Sequence, residues 1–392
     1  MIYRDYLIIG GGLAGARACE GIREHDKKGS VTLAGRENFL PYNRPPLSKT
    51  FLKQAHTPVE KLWHAGEEWY AKHKIELRQD TVVRALNLER HLAVLEDGQA
   101  IEFKKALLAT GSRPRKPQVA GANLGNVFYL RTIRDALAIK EAAPLEKSIM
   151  VVGGGFIAVE TAASLTQAKF KVTLMNRHQA LWQKWMDAET SAWLTEYFRA
   201  HGVTLMMGQD LNGFEGKTVL KNVQTKSGER VPAQMALVAV GAEPNLDLVL
   251  NTPLSSPGGT PVNEYLETDE KGIFAAGDIA LYPCKVFGTM RRVEHWDNAR
   301  EQGFVAGQNM TGKKRIKFDY VPYFFSDLFD LSFEFFGDFT MPASLTKIEG
   351  TRAKKKFILR YFRQGKLVAI VHCNQDQALG KNAREEIRAA QL

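Results

Sequence analysis

Short, continuous apolar runs recur along the chain, and the two clearest of them each lead into three glycines. Residues 6–9 precede Gly10, and residues 149–152 precede Gly153. An unbroken run of aliphatic and β-branched residues is typical of a strand buried on both faces of a parallel sheet. A helix-like stretch and a second apolar run follow each glycine group. The pattern therefore predicts two strand–helix–strand units of the kind that bind dinucleotides.

The first unit carries glycine at three spaced positions, Gly10, Gly12 and Gly15. These glycines permit a tight turn, close approach of the backbone to a pyrophosphate, and close packing of the helix on the strand. The helix predicted over residues 14–23 would then direct its positive N-terminal end at the phosphates. We therefore expect the first dinucleotide to bind at the start of this helix.

An acidic residue is expected about 20 residues after the glycines, where it binds ribose hydroxyls. The second strand is predicted at residues 31–34, and the chain then offers Arg36 and Glu37. Glu37 could bind the ribose one position late, whereas Arg36 at the usual position is a departure from the pattern. Which of the two handles the ribose stays open at this point.

The second unit departs from the pattern at two places. Its third small residue is Ala158 rather than glycine, and Asn176 and Arg177 stand where an acid is expected, after the strand at 171–175. A carboxylate there binds the ribose 2′-hydroxyl of NADH, whereas an arginine accommodates the 2′-phosphate of NADPH. The sequence therefore favours NADPH over NADH, unless Arg177 points into solvent and the protein uses either cofactor.

Three further apolar runs end in glycine-containing turns, at Gly111, Gly241 and Gly277. The segment 114–125 is rich in proline and glycine, as linkers are. We therefore place the crossing into a second domain near Gly111 and the return crossing near Gly241.

A chain of 392 residues is long enough for two or three domains. Beyond residue 318, aromatic residues crowd one stretch and are expected to be mostly core, and two strands are predicted near 356–363 and 367–373. The predicted fold is α/β, with two Rossmann-like dinucleotide-binding domains, the first of them discontinuous, and a small C-terminal α+β domain. The predicted domain bounds are 1–112 with 245–318 for the first domain, 113–244 for the second and 319–392 for the third.

The net charge and the cysteine content limit the partners and the kinds of reactive site that the chain could have. The formal net charge is +10, which favours acidic partners such as a redox protein, nucleic acid or an anionic surface, or serves only solubility. The three cysteines, Cys19, Cys284 and Cys373, are far apart in sequence. This spacing excludes a closely spaced redox dithiol and argues against a zinc site, so no metal site is expected.

The expected location is the cytoplasm. A strand is predicted almost from the first residue, which leaves no room for a signal peptide. No apolar run approaches the ~20 residues needed to span a bilayer, so no transmembrane segment is expected.

A proline-rich segment, residues 41–49, follows the first unit and reads PYNRPPLSK. Its paired prolines predict an extended path. Arg44 and Lys49 could project from that path toward anionic cofactor atoms, although the segment taken alone is typical of a surface loop.

The order of motifs identifies a family resemblance. GGGLAG, ATGSRP, GGGFIAVE, VAVGAEPN and AAGDIA follow one another along nearly the whole chain. This order resembles the flavoprotein reductases that bind both FAD and a nicotinamide dinucleotide. PYNRPPLSK and VEHWDNA make it similar to the branch of oxygenase-coupled ferredoxin reductases, rubredoxin reductases and apoptosis-inducing factor.

The resemblance implies roles for individual residues. Lys49 would approach flavin N5 and pair with Glu160, and these two are the catalytic candidates, because an ammonium stabilises negative charge on a reduced flavin. The carboxylate would keep that ammonium charged in a partly dry site. Asp278 would accept a hydrogen bond from the ribityl chain. The full set of cofactor-binding candidates is Gly10, Gly12, Leu13, Ala14, Gly15, Glu37, Arg44, Lys49, Val83, Thr110, Gly111, Arg131, Gly153, Gly155, Phe156, Ile157, Glu160, Asn176, Arg177, Gly241, Gly277, Asp278, Glu294, His295, Trp296 and Phe325.

Alternative interpretations stay open for some of these residues. Val83, expected to hold the adenine through its backbone, is otherwise an ordinary strand residue, and Arg131 is otherwise a surface cation. Glu294, His295 and Trp296 would lie where the nicotinamide docks, although a single histidine is more often a polar residue satisfied within the fold. Phe325 could stack on the cofactor or fill the core.

Two functions of different classes follow from the resemblance. The first is an FAD-dependent NAD(P)H oxidoreductase that passes electrons to an acidic ferredoxin- or rubredoxin-like protein or to a quinone. The second is a redox-switched interaction protein, similar to apoptosis-inducing factor, with slow turnover, ligand-dependent homodimerisation and a basic surface able to bind nucleic acid. Cofactors are FAD and NADPH or NADH in either case, and the protein would be a monomer or a ligand-dependent homodimer.

Overall fold

The computed structural model describes residues 2–143, 148–376 and 378–391. These residues form two compact units. The first unit comprises Met1–Asn43, Glu60–Arg113 and Pro244–Phe324, and the second comprises Arg44–Val59, Pro114–Glu243 and Phe325–Leu392.

The strands are, in chain order, β1 (Ile2–Ile9), β2 (Val31–Ala34), β3 (Ile75–Arg78), β4 (Val83–Asn87), β5 (Leu92–Leu95), β6 (Ala100–Leu108), β7 (Ser112–Pro114), β8 (Val127–Tyr129), β9 (Ile149–Val152), β10 (Val172–Asn176), β11 (Thr204–Met207), β12 (Leu211–Gly216), β13 (Leu220–Thr225), β14 (Arg230–Pro232), β15 (Met235–Val238), β16 (Ala242–Pro244), β17 (Thr260–Pro261), β18 (Ile273–Ala275), β19 (Ala280–Cys284), β20 (Thr289–Arg291), β21 (Tyr323–Leu328), β22 (Leu331–Gly337), β23 (Leu345–Thr351), β24 (Lys356–Arg363) and β25 (Lys366–Cys373). The α-helices are α1 (Leu13–His25), α2 (Thr50–Lys53), α3 (Glu67–Lys72), α4 (Ile133–Ala142), α5 (Phe156–Gln167), α6 (Ala188–Ala200), α7 (Trp296–Thr311) and α8 (Ala378–Ala389).

The first unit is built on a seven-stranded sheet. Its strand order is β3-β2-β1-β6-β5-β4, with β18 pairing to β6. β1 pairs in parallel with both β2 and β6, while β4 and β5 form an antiparallel extension. The apolar runs detected in the sequence form the centre of this sheet, where Leu7, Ile8 and Leu107 are fully buried.

Two helices of the first unit, α1 and α7, pack closely because glycines lie between them. A Cβ atom on Gly303 or Gly307 would come within 2.2 Å or 2.1 Å of the carbonyl oxygen of Ala14 or Ala18. Such separations are far below van der Waals contact, so only glycine fits at both places. The close approach fixes α1, whose first turn begins at the first glycine fingerprint.

The second unit repeats the parallel arrangement and adds antiparallel sheets. Its five-stranded sheet has the order β11-β10-β9-β15-β8, and its neighbouring strands all pair in parallel. A three-stranded sheet, β12-β13-β14, is antiparallel. The parallel order places β9 and the second glycine fingerprint at the centre of the sheet, as expected for a nucleotide-binding unit.

The C-terminal part of the second unit is a five-stranded sheet of order β21-β22-β25-β24-β23, on which α8 packs. Aromatic side chains join this sheet to the second fingerprint. The ring of Phe156 lies 5.3 Å from that of Phe335, and Trp182 lies 5.4 Å from Phe333, both edge to face. Arg352 in the turn after β23 contacts Asp187, the N-cap of α6.

The predicted fold class is confirmed, because both parallel units and the C-terminal sheet are present. The two predicted C-terminal strands are confirmed as β24 and β25. The expectation that the aromatic residues after 318 are core is met fully by Phe333, Phe335 and Phe336, whereas Phe324 and Phe325 are half-buried. The predicted domain bounds remain a prediction.

The extended path predicted for the proline pair is wrong. Pro45–Ser48 forms a 3₁₀ helix with proline in its first positions, and α2 follows it. Proline fixes φ near −65°, which suits the first turn of a helix as well as an extended chain. Leu47 and Ser48 are buried, so the segment is also not the surface loop that its composition suggests.

Candidate functional site

The first glycine fingerprint forms an open cradle at the start of α1. Gly10 has φ of +129°, and a Cβ there would meet the carbonyl oxygen of Ala109 at 2.0 Å. A Cβ on Gly12, by contrast, would have no atom within 4 Å. Gly12 is the N-cap of α1, which has neither a side-chain cap nor an acidic residue in its first turn. Backbone N–H groups in such a place favour an anion, so the cradle fits the pyrophosphate of a dinucleotide.

Glu37 lies near this cradle, in a cleft that is also lined by Gly11, Pro41 and Arg78. The Tyr42 hydroxyl donates a hydrogen bond of 2.6 Å to Oε2 of Glu37. Arg36, the other candidate for the ribose, is exposed and does not line the cleft. The geometry therefore favours Glu37 over Arg36.

The second fingerprint has the same geometry at the start of α5. Gly153 has φ of +138°, and a Cβ on it would meet the carbonyl oxygen of Ala239 at 2.2 Å. Gly155 is the N-cap, without a side-chain cap, and a Cβ on it would meet nothing within 4 Å. Space for a second pyrophosphate is thus present, and Gly241 likewise faces open space.

The strand end beyond this fingerprint is occupied by Asn176 and Arg177. Asn176 is buried and bridges its own loop, because its amide donates to the carbonyl of Ala180 and accepts from the N–H of His178. Arg177 is exposed, and its charge adds to the hydrogen bond from Lys226 that chiefly lowers the pKa of Asp210. A cation is therefore available at this strand end, whereas the Asn176 amide is already engaged in the protein.

A second polar cluster surrounds Asp278 in the first unit. The Ser112 hydroxyl donates to Oδ2 of Asp278 at 2.6 Å, and Arg292 donates to its carbonyl oxygen at 2.9 Å. Arg292 also pairs with Glu294. The adjacent Gly277 is held by Gln302, whose side chain accepts from the Gly277 N–H at 2.8 Å. The cluster fixes Asp278 at the end of β18, where parallel sheets bind ligands.

His295 and Trp296 begin α7 in the same unit. The imidazole of His295 stacks on the ring of Phe324 at 4.2 Å, and the indole of Trp296 donates to Oδ1 of Asn43 at 2.9 Å. Burial lowers the pKa of His295 to about 4, with Asp278 acting weakly in the opposite direction. The imidazole is therefore neutral at physiological pH.

Acid should destabilise the protein through His295. Between its folded pKa of about 4 and the ordinary value of about 6.5, the unfolded chain binds more protons. Stability from this group is therefore complete above pH 6.5 and falls toward pH 4. When the pH is lowered from 7.5 to 5, the thermal unfolding midpoint should fall less in His295→Gln than in the parent. His56→Gln, at an exposed histidine, is the control; an equal loss in parent and His295→Gln would contradict the assignment.

A buried ion pair lies in the second unit. Nζ of Lys49 is 3.0 Å from Oε1 of Glu160, and both side chains are largely shielded from solvent. The Lys49 ammonium also lies 4.5 Å from the centre of the Phe325 ring. Hydroxyl groups of Ser48 and Ser326 complete the surroundings of the carboxylate. The sequence predicted the Lys49–Glu160 contact but missed both serines, although each is the immediate chain neighbour of Lys49 or Phe325.

The remaining candidates occupy supporting positions. Arg44 donates to the carbonyl oxygen of Arg131 at 2.6 Å, and Thr110 donates to the carbonyl oxygen of Asn245 at 2.8 Å. Val83 is half-buried in β4. The helix-start residues differ in exposure, with Leu13 and Ala14 buried, Phe156 half-buried and Ile157 exposed. The sequence analysis missed Ser112 and Arg292 as partners of Asp278, from which they are 166 and 14 residues away.

The cysteines do not form a reactive pair. All three are free and buried, and burial raises the pKa of Cys19 and of Cys373 to about 12. Thiolate is the reactive form, so these thiols are inert at neutral pH. Within residues 2–143, 148–376 and 378–391, no cluster of His, Cys, Asp or Glu could hold a metal ion. None of the described helices is long and apolar enough to span a membrane.

Comparison with known proteins agrees with this geometry. The chain is 34% identical over 354 residues to peroxisomal monodehydroascorbate reductase 4 of Arabidopsis thaliana, covering 85% of this chain and 72% of the relative. It is 30% identical over 377 residues to putidaredoxin reductase of Pseudomonas putida, covering 95% and 89%. The crystal structure of the covalent putidaredoxin reductase–putidaredoxin complex superposes with a TM-score of 0.92 at 28% identity, covering 99% of this chain and 93% of the other.

The fold and the two helix-start cradles define an oxidoreductase with two dinucleotide-binding domains. The chain belongs to the pyridine nucleotide-disulphide oxidoreductase family, whose model matches residues 4–303. The resemblance to ferredoxin and rubredoxin reductases and to apoptosis-inducing factor is thereby confirmed. Membership implies FAD and a pyridine nucleotide as cofactors.

Proposed function

We propose that this protein is an FAD-dependent NAD(P)H:acceptor reductase that delivers electrons to an external acceptor. The observation that carries the proposal is the pair of uncapped, glycine-lined helix starts at Gly12 and Gly155, together with the absence of any reactive cysteine pair. FAD, when bound, would supply a two-electron store for hydride from the nicotinamide. The three free, buried cysteines offer no dithiol to receive those electrons, so an external molecule would take them up.

Different residues of the chain would bind different parts of the two cofactors. We propose that Gly10, Gly12 and Gly15 hold the FAD pyrophosphate, that Glu37 binds the adenosine ribose, and that Asp278, oriented by Ser112, accepts from the ribityl chain. Gly153 and Gly155 would hold the nicotinamide dinucleotide in the same manner. The Lys49–Glu160 pair would lie beside the flavin, where an ammonium favours reduction.

The acceptor is either an acidic iron–sulfur protein or a small molecule such as a quinone. The net charge of +10 supports an acidic partner, because opposite charges speed association. The names of the relatives support both classes, since one is a putidaredoxin reductase and the other a monodehydroascorbate reductase. The alternative, a redox-switched interaction protein, predicts slow turnover and dimerisation on reduction.

Steady-state turnover separates these functions. The FAD-loaded protein should reduce at least one acceptor among ferredoxins, rubredoxins and quinones rapidly with NAD(P)H, while remaining in one oligomeric state. Slow reduction of every acceptor, combined with NAD(P)H-dependent dimerisation in size-exclusion chromatography, would favour the switch instead.

NADPH should be preferred to NADH, through Arg177. Its guanidinium is exposed, so a contact with the 2′-phosphate would be screened and contribute about 1 kcal/mol, or roughly fivefold. The ratio of kcat/KM for NADPH over NADH should exceed one in the parent and fall toward one in Arg177→Ala. Lys171→Ala, an exposed cation at the opposite end of β10, should leave the ratio unchanged. Equal or greater efficiency with NADH in the parent would refute this assignment.

A further inference from the structure

Glu160 is a buried carboxylate with three donors around it. Glu160 is 3% exposed and lies in the first half of α5. Oε1 lies 3.0 Å from Nζ of Lys49 and accepts a hydrogen bond of 2.7 Å from the Ser326 hydroxyl, while Oε2 accepts one of 2.5 Å from the Ser48 hydroxyl. A buried charge is costly unless it is paired and hydrogen-bonded. Here both oxygens have a hydroxyl donor and one also has the ammonium.

The two serines are buried in regular elements of the second unit. Ser48 ends the 3₁₀ helix Pro45–Ser48, and its carbonyl oxygen accepts a hydrogen bond of 2.8 Å from Ser164, one turn beyond Glu160 on α5. Two successive turns of α5 therefore hydrogen-bond to Ser48, one to its hydroxyl and one to its carbonyl oxygen. Ser326 lies in β21 and is fully buried. Neither hydroxyl is on a surface where water could replace it.

Lys49 has contacts on two sides. Its ammonium is shared between Oε1 of Glu160 and the face of the Phe325 ring, whose centre is 4.5 Å away. Ser326 donates to the same carboxylate oxygen that attracts Lys49. Removing that donor would leave Oε1 with the ammonium as its remaining donor, so the balance between the carboxylate and the ring would shift toward the carboxylate.

We propose that Ser48 and Ser326 are positioning residues that hold the Glu160 carboxylate in its orientation, and that through it they fix the place of the Lys49 ammonium. Hydrogen bonds to a charged group are short and directional, and each serine hydroxyl here meets a different oxygen of the carboxylate. The proposal rests on the proposed function, in which this ammonium stabilises negative charge on the reduced flavin. The serines themselves would not touch the reacting atoms.

The first test is the midpoint potential of the bound flavin at pH 8, in Ser326→Ala. We expect a potential lower than that of the parent, and flavin reduction by NAD(P)H slower by about tenfold, by analogy with the loss of a hydrogen bond that orients a metal ligand. Ser326→Thr, which keeps the hydroxyl, should recover most of both. Ser332→Ala in the neighbouring strand removes an exposed hydroxyl that donates to Asp327 at 2.9 Å, and it should change neither.

A double-mutant cycle with Glu160→Gln shows whether Ser326 acts through the carboxylate. In the Glu160→Gln background, Ser326→Ala should no longer shift the potential, because the charge it serves is gone. An equal shift in both backgrounds would overturn the proposal, as would an unshifted potential in Ser326→Ala. Should Ser326→Ala fold poorly, Ser48→Ala with the same cycle gives the same test on the other oxygen.

Urea unfolding of the same variants without added nicotinamide tests the serine–glutamate network separately from its proposed effect on the flavin. The serine–glutamate coupling should appear as about fivefold or more in the unfolding equilibrium constant, since groups in one network are non-additive. If the serine and glutamate changes are coupled in the unfolding equilibrium constant but do not alter the flavin potential, the network exists but has no link to a flavin. Additive stabilities would refute the network itself, whatever the protein reduces.

Discussion

Gly12→Asp is expected to abolish FAD binding while the protein stays folded. Gly12 has φ of −86°, and a Cβ there meets nothing within 4 Å, so the backbone accepts a side chain without strain. Aspartate is moreover a favoured N-cap, worth about 1 kcal/mol to a helix. Its carboxylate would occupy the cradle in which we propose the pyrophosphate binds. An uncompensated like charge there costs roughly 3–5 kcal/mol, which is about a hundredfold to several thousandfold in affinity.

The measurement is the flavin content of purified protein, followed by titration of the apoprotein with FAD. Circular dichroism and the thermal unfolding midpoint of the apoprotein show that folding is retained. Gly12→Ala adds an uncharged methyl group, so it should lose less FAD affinity than Gly12→Asp. Parent-like FAD affinity in Gly12→Asp would mean that the cofactor is held elsewhere.

Gly155→Asp is the matched change at the second fingerprint, and it should separate the two cofactors. Gly155 has φ of −84° and equally open space around its Cβ. We expect FAD to remain bound and to be reduced normally by dithionite, because the first cradle is intact. The KM for NAD(P)H should rise by about a hundredfold or more, for the same electrostatic reason. Loss of FAD from Gly155→Asp, or an unchanged KM, would contradict the division of roles.

The sequence predicts the parallel cores well because their pattern is local. An apolar run of four or more residues before glycine defines β1 and β9 and the helix starts that follow them. Gly10 and Gly153 are required by positive φ and by a close carbonyl, which are properties of the backbone at one place. Such features are readable without knowing what packs against them. The order of these motifs then predicts the fold class, which comparison confirms.

Features that depend on distant partners are not readable in this way. Ser48 and Ser326 are 112 and 166 residues from Glu160, and a single serine carries no pattern of its own. The 3₁₀ helix at Pro45–Ser48 escaped prediction because proline suits both a helix start and an extended chain. The exposure of Arg177 depends on how the loop after β10 is folded, which the Asn176 amide decides through Ala180 and His178.

Anaerobic reductive titration of the FAD-loaded protein tests the central claim, that one flavin stores the electrons and no cysteine pair shares them. The account predicts complete bleaching of the flavin band after one two-electron equivalent of dithionite or NADPH. Cys19, Cys284 and Cys373 are free and buried, so we expect them not to take up a second equivalent. Uptake of a second equivalent, with a long-wavelength thiolate–flavin band during the titration, would contradict it.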